Sequence, residues 1–209
     1  MVPDQLVTPD TSDRAAMRRL VDEFDRGRLI AMPTETVYGL AAPINRPALI
    51  DKIFALKGRP ADNPLIVHVA TRQQARSCTA CWPGLADALT ERFWPGPLTL
   101  VLPRSSLISN RISAGQDTVA LRMPDHPLAL ALIRALDTPV VAPSANLSTR
   151  LSPTTAADVA RAFDPADVLV LDGGRCRVGI ESTIVAVDEA AHTLWWLRPG
   201  QIDQGQLGA

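Results

Sequence analysis

Residues 29–39 read LIAMPTETVYG: four apolar residues, a proline, then two threonines, a glutamate and the chain's only tyrosine before a glycine. The run Leu29–Met32 has no polar alternation, which fits a strand covered on both faces. Breaking at Pro33 into a polar turn, it reads as a strand end of the kind where an open α/β sheet holds its ligand. As a purely local feature, the same turn is also a capped corner. Upstream, Thr11, Ser12 or Asp13 can cap a helix of about 14 residues that places Ala16, Leu20, Val21 and Phe24 on one face and stops at Gly27. Downstream, Asn45 with Pro47 starts a second helix through Leu49, Ile50, Ile53 and Phe54. Further strands are expected at 64–69, 98–102, 118–123, 140–142, 168–171, 182–187 and 194–197, with a helix at about 126–136. Strands that alternate with helices predict one α/β domain over 1–209, a mixed, twisted open sheet with helices around it and a ligand cleft at strand ends. The final stretch, PGQIDQGQLGA, reads as a tail.

Composition narrows the function classes. A chain of 209 residues suits one domain, or one with a small appendage. Hydrophobic residues at 46% against 21% charged exclude a disordered chain. Aromatics at 4% remove the stacking platform of a single-strand RNA binder. With 21 cations and 22 anions the formal charge is −1, which gives no global pull toward nucleic acid. The N-terminus lacks a basic stretch followed by an apolar run, and no window is apolar enough to span a bilayer, so a soluble cytoplasmic protein with no membrane partner is expected. Cys78 and Cys81 form a C-x-x-C without a second pair nearby. An incidental pair and a redox or metal role both stay open.

Three polar clusters fall at strand ends. The first is Pro33–Gly39. The second, Lys57-Gly58-Arg59-Pro60-Ala61-Asp62-Asn63-Pro64, places two cations around a glycine at a helix end. That arrangement suits a phosphate, and it also suits compensation of the helix dipole. Only two of the 21 cations are lysines, Lys52 and Lys57, so Lys57 stands out. The third, Val140–Ser148, delivers Ser144 and Asn146 at i, i+2, small polar groups able to bond a ribose or phosphate. Gly179-Ile180-Glu181-Ser182-Thr183 adds a hydroxyl pair after a glycine. There is no P-loop, no G-x-G-x-x-G and no nucleophile elbow.

Seven motifs then appear in order: PTETVYGL, KGRPxxNPLIVH, PGPLTLVL, VALRMP, APSAN, GIESTIV and LRPG. Together, over about residues 13–202, they resemble the YrdC-like family of L-threonylcarbamoyladenylate synthases in its single-domain form. The resemblance implies an enzyme, a nucleotidyltransferase that joins L-threonine, bicarbonate (or CO2) and ATP into L-threonylcarbamoyl-AMP and pyrophosphate. The adenylate feeds threonylcarbamoyladenosine modification of tRNAs that read ANN codons, through a downstream tRNA threonylcarbamoyl-transferase complex. It implies Mg2+ with ATP, and Lys57 and Arg59 as catalytic cations. Lys57, Arg59, Asn63, Thr118, Ser144, Asn146, Ser152 and Arg198 are implied at the ATP site. Thr36, His68, Arg122, Ala142 (through its backbone) and Ser182 are implied at the threonine site. A lone histidine such as His68 is otherwise a satisfied core residue. Family members are also regarded as binders of double-stranded RNA or tRNA, so a non-catalytic RNA module of the same fold is the alternative, as is a sub-family with fewer motifs. On this reading Lys57 lies near solvent, and its loss leaves the fold intact.

Overall fold

The computed structural model describes residues 5–188 and 191–208. Its strands are β1 (Leu6–Val7), β2 (Leu29–Met32), β3 (Gly39–Pro43), β4 (Ile66–His68), β5 (Leu98–Pro103), β6 (Thr118–Arg122), β7 (Val140–Val141), β8 (Val168–Leu171), β9 (Thr183–Asp188) and β10 (Thr193–Arg198). Its helices are α1 (Arg14–Asp25), α2 (Pro47–Lys57), α3 (Arg72–Ser77), α4 (Gly84–Phe93), α5 (Asn110–Ser113), α6 (Pro127–Leu136), α7 (Ala156–Ala160) and α8 (Gln204–Gly208). The strands form one mixed sheet in the order β1-β8-β2-β3-β7-β4-β6-β5-β9-β10. β4 runs parallel to β6 and β5 parallel to β9, while β3, β7 and β4 form an antiparallel centre. This is the mixed, twisted α/β sheet that the strand and helix order predicts.

The core follows from the apolar runs. Leu29, Ile30, Ala31 and Met32 of β2 and Val168 to Leu171 of β8 are buried throughout, because helices cover both faces of that region. α1 buries Met17, Leu20 and Phe24, with Ala16 and Val21 only half-buried, and it packs on β2 and α6. Asp13 is its cap, accepting from the N–H groups of Ala15 and Ala16 at 2.8 and 3.2 Å.

Three expectations need correcting. The segment after Met32 is not only a turn: β3 begins at Gly39 and returns antiparallel to β2, its Gly39 in register with Met32. Gly39 has to be small, since a Cβ there would sit 3.1 Å from the Cβ of Ala142. The helix at Pro47 is preceded by Arg46 rather than capped by Asn45, and Arg46 makes no side-chain cap bond; proline in the first turn removes a donor that would otherwise lack a partner.

The third correction concerns the C-terminal stretch, which is docked rather than a loose tail. Ile202 is buried; its N–H donates to Thr183 Oγ1 at 3.1 Å, and Thr183 Oγ1 donates to its carbonyl at 2.8 Å. Gly200 lies so close to β9 that a Cβ would fall 2.3 Å from the Thr183 nitrogen. Gly200→Ala is therefore expected to cost about 1–3 kcal/mol through overpacking against backbone that cannot yield. Urea unfolding of variant and parent checks this, and an unchanged midpoint would contradict the docking.

Candidate functional site

A cleft of about 370 Å3 lies across the face of the sheet rather than at strand ends alone, lined by β6 from Thr118 to Arg122 and by residues of β3, β4, β5, β9 and β10. Its walls form because of how the chain leaves each element. α2 ends in Gly58, which adopts the left-handed conformation (φ 60°) and lets the chain turn back on the helix. Arg59 then points along the cleft, its Nη2 donating to Asn63 Oδ1 at 2.6 Å and to the Pro64 carbonyl at 2.8 Å. β4 and β6 run parallel with His68 opposite Arg122, so both side chains reach the cleft floor. Ser144 arrives after β7, bridged to Gly39 across the sheet. Arg198 closes the far side at the end of β10. Its Nη2 donates to Ser182 Oγ at 2.9 Å and lies 3.6 Å from Glu181 Oε2.

Charge inside the cleft is mostly positive. Burial lowers the proton affinity of both Arg59 and Arg198, while the Glu181 carboxylate works against that in each. Neither departs from the charged form near neutral pH, since a guanidinium starts far above it. His68 behaves differently: burial first, then the Arg122 charge, depress it to about 3, against the opposing Ile66 carbonyl. It is neutral near pH 7. Arg122 is itself buried, and its Nη2 lies 2.8 Å from Glu35 Oε1 while its Nε donates to the Gly96 carbonyl at 3.3 Å. The Arg122–Glu35 approach has the distance of a contact but not the alignment of a hydrogen bond, so Nη2 and Oε1 both lack a hydrogen-bond partner.

The structure brings Arg59, Asn63, His68, Thr118, Arg122, Ala142, Ser144 and Arg198 into the lining of one cleft. Five other sequence-derived positions lie behind or beside it. Thr36 is fully buried, its hydroxyl 2.9 Å from that of Thr34, which does face the cleft. Ser182 is fully buried beneath the wall, within 2.7 Å of Thr99 Oγ1. Ser152 lies in an adjoining groove and donates to Glu181 Oε1 at 2.8 Å. Asn146 lines that same groove, and its amide spans the Leu147 and Arg150 carbonyls.

Lys57 is the largest departure. It is 3% exposed rather than near solvent, and its Nζ donates to the carbonyls of Ser144 and Asn146, each at 2.6 Å. Burial, followed by the Arg59 charge, lowers it to about 8. In this geometry it ties the Ser144–Asn146 corner to the end of α2, and the Lys57 carbonyl accepts from Ser148 N–H at 2.7 Å.

Sequence reasoning assigned no role to Glu35, Thr34, Thr99 or Glu181. The signal was strongest at Glu35, a carboxylate set between apolar strands, which requires a buried cationic partner. Cys78 and Cys81 are both free, the first buried and the second exposed.

Guanidiniums on two sides and a buried ion pair in its floor make this a polar cleft set in an α/β sheet. A family model described as telomere recombination, covering Sua5, YciO and YrdC, matches residues 22–200. The chain belongs to the Sua5/YciO/YrdC family. It is 46% identical over 211 residues to a threonylcarbamoyl-AMP synthase of Bacillus subtilis, an alignment covering 100% of this chain and 59% of that protein. It is 49% identical over 174 residues to a threonylcarbamoyl-AMP synthase of Pyrococcus abyssi, covering 83% of this chain and 51% of the relative. A crystal structure of P. abyssi Sua5 complexed with L-threonine superposes with a TM-score of 0.85 at 44% identity, over 93% of this chain and 56% of that one. The chain thus spans about half the length of these relatives. Among the described residues no helix is long and apolar enough to cross a membrane.

Two expected outcomes follow from the buried cations. Lys57→Met leaves two carbonyls without their donor, and unfolding free energy is expected to fall by about 1–3 kcal/mol in urea titrations. For His68 the sign is fixed by its lowered value: below pH 6.5 the unfolded chain takes up a proton that the folded chain refuses, so stability falls with pH. Between pH 8 and 5 this amounts to about 2 kcal/mol, above the range in which ordinary carboxylates titrate. Half-buried His126 is lowered as well and adds loss of the same sign, so the reading is the difference between parent and His68→Asn. A parallel pH dependence in the two proteins would show that His68 is not the group responsible.

Proposed function

We propose that this chain is an L-threonylcarbamoyladenylate synthase that condenses L-threonine, bicarbonate and ATP into L-threonylcarbamoyl-AMP and pyrophosphate. The observation that carries the reading is the presence of guanidiniums at two separate places in one cleft. Arg59 and Arg198 flank the open side, and Arg122, paired with Glu35, lies in the floor. A nucleotide triphosphate suits the first pair and an amino-acid carboxylate suits the second, since a guanidinium grips either with two parallel bonds. The matched relatives are named threonylcarbamoyl-AMP synthases, and one P. abyssi structure was solved with L-threonine.

Chemistry of this kind needs positioning and charge neutralisation rather than a covalent nucleophile. The carbamate formed on the threonine nitrogen attacks the α-phosphorus through its oxygen, and the bond to the β,γ-pyrophosphate breaks. Arg59 and Arg198 neutralise the phosphates, with Asn63 fixing the Arg59 fork. Thr118 and Ser144 offer hydroxyls to the nucleotide, and Ala142 its backbone to the amino acid. Lys57 and Asn146 hold the Ser144 corner rather than face the ligand.

Among the described residues no group of three His, Cys, Asp or Glu side chains is placed to hold a metal, and Glu181 is the one carboxylate on the cleft wall. That set fits Mg2+ carried in on nucleotide phosphates and touched by a single carboxylate, Glu181. The ion would supply charge neutralisation on the phosphates. In the same reading the product passes to a tRNA threonylcarbamoyl-transferase complex in the cytoplasm.

The test is pyrophosphate release from ATP, which is expected only when threonine and bicarbonate are both present; release without threonine defeats the reading. Arg59→Ala is expected to lower turnover roughly 100-fold, the scale of losing one charge-stabilising donor. Arg122→Ala is expected to abolish threonine binding in calorimetry while ATP still binds. Loss of both ligands together would show that Arg122 merely holds the cleft open.

A further inference from the structure

From the Glu35–Arg122 pair we infer that Glu35 is a specificity-determining positioning residue, which makes the amino-acid pocket accept a zwitterion and refuse a plain carboxylate anion. The inference rests on the reading of the cleft as an amino-acid-dependent adenylate synthase. Glu35 is 2% exposed and belongs to the turn after β2, while Arg122 ends β6. One Glu35 oxygen is fixed: Oε2 accepts the N–H of Asp125 at 2.9 Å. The backbone carbonyls of Glu35 and Thr36 are held in turn by the N–H groups of Val178 and Gly179, at 2.8 and 3.0 Å. The carboxylate is therefore fixed by the Asp125 segment and its backbone by the Val178–Gly179 segment, while Arg122 is held separately by the Gly96 carbonyl.

Arg122 Nη2 is buried against Glu35 Oε1 at 2.8 Å, and neither atom has a hydrogen-bond partner, so charge alone holds the pair while the Arg122 side chain lines the cleft. Arg122 lines the cleft, whereas Glu35 lines a separate cavity of about 360 Å3 behind it, so the pair is the partition between the two. Glu35 thus reaches the ligand through Arg122 and not directly.

Charge then decides the specificity. Glu35 and Arg122 sum to zero in a site where water does not screen them, and neighbouring His68 is neutral near pH 7. Behind the partition Asp125 is paired with Arg177. A ligand carboxylate arriving alone would leave an uncompensated buried negative charge. One arriving with its own ammonium group keeps the balance. Without the Glu35 charge, Arg122 would be a lone buried cation, which a simple carboxylate satisfies.

Calorimetry tests this with three probes: L-threonine, 2,3-dihydroxybutanoate (the same skeleton with a hydroxyl in place of the ammonium) and ATP. The parent protein is expected to bind threonine and to discriminate strongly against the dihydroxy acid. In Glu35→Gln the ratio of the two dissociation constants is expected to narrow by about tenfold or more, because the pocket gains a net positive charge. Glu35→Asp, which keeps the charge, is expected to preserve discrimination, and ATP affinity to stay within about twofold in both variants. Where Glu35→Gln fails to fold because Arg122 is left a lone buried cation, the test is carried by the parent's own discrimination between the two acids and by its retention in Glu35→Asp.

A ratio that does not move in Glu35→Gln, with both acids weakened alike, would reduce Glu35 to packing and overturn the inference. So would a parent protein that binds the two acids equally, a result that needs no variant at all. A parent that binds ATP but neither acid would instead defeat the functional reading itself.

Discussion

Burying a guanidinium at the floor of a cleft imposes conditions on everything around it. Arg122 sits at the end of β6 with almost no access to water, and a lone cation there would cost far more than the fold could spare. The answer is Glu35, and placing Glu35 requires the chain to leave β2 at Pro33, turn through Thr34–Thr36 and return as β3. The Thr34 hydroxyl stabilises that turn by accepting from the N–H groups of Thr36 and Val37 and donating to the Val37 carbonyl at 2.6 Å. The return strand in turn sets Gly39 against Ala142 and Ser144, which builds the opposite wall. The ion pair thus ties the sheet's antiparallel centre to its parallel flank.

Arg59, Arg198 and Lys57 differ in freedom for a physical reason. A guanidinium keeps its charge when partly dehydrated and offers five donors in a rigid fork. Arg59 and Arg198 can therefore be braced by neighbouring carbonyls and hydroxyls, with donors left for a ligand. An ammonium has three donors and loses its proton more readily on burial, which suits Lys57 to a fixed structural task. The Lys57 ammonium and the two carbonyls it binds form a corner that keeps Ser144 facing the cleft while Asn146 faces the adjoining groove.

Much of this was legible in the sequence, and the limits have identifiable causes. Long apolar runs such as Leu29–Met32 and Val168–Leu171 declared themselves because a strand covered on both faces has no reason to alternate. β3 did not: Gly39-Leu40-Ala41-Ala42-Pro43 carries a glycine, two alanines and a proline, and its place is set by register with Met32 and Val141 rather than by propensity. The C-terminal stretch, rich in glycine and glutamine, gave no periodic signal, and contacts distant in sequence fix it: Gly200 against β9, Ile202 on Thr183 and Leu207 against the core. For the site, the motifs located the strand ends correctly. They could not say which side chains face the cleft and which lie one layer behind, since that depends on partners distant in sequence, as Thr99 is from Ser182 and Ser144 from Lys57.

The distinction between facing a ligand and holding what faces it also separates two kinds of motif residue. Thr36, Ser182, Asn146 and Lys57 spend their hydrogen bonds on Thr34, on Thr99 and Arg198, on the carbonyls of Leu147 and Arg150, and on the Ser144–Asn146 corner. Thr36, Ser182 and Lys57 are each attached to a residue that lines the cleft, whereas Asn146 braces the adjoining groove. Hydroxyls and amides suit this layer because they satisfy buried partners without adding charge, leaving the net charge of the cleft to Arg59, Arg198 and Glu181 at its mouth and the neutral Arg122–Glu35 pair at its floor. A positive mouth over an electrically balanced floor is the arrangement on which the proposed separation of a polyanion from a zwitterion rests.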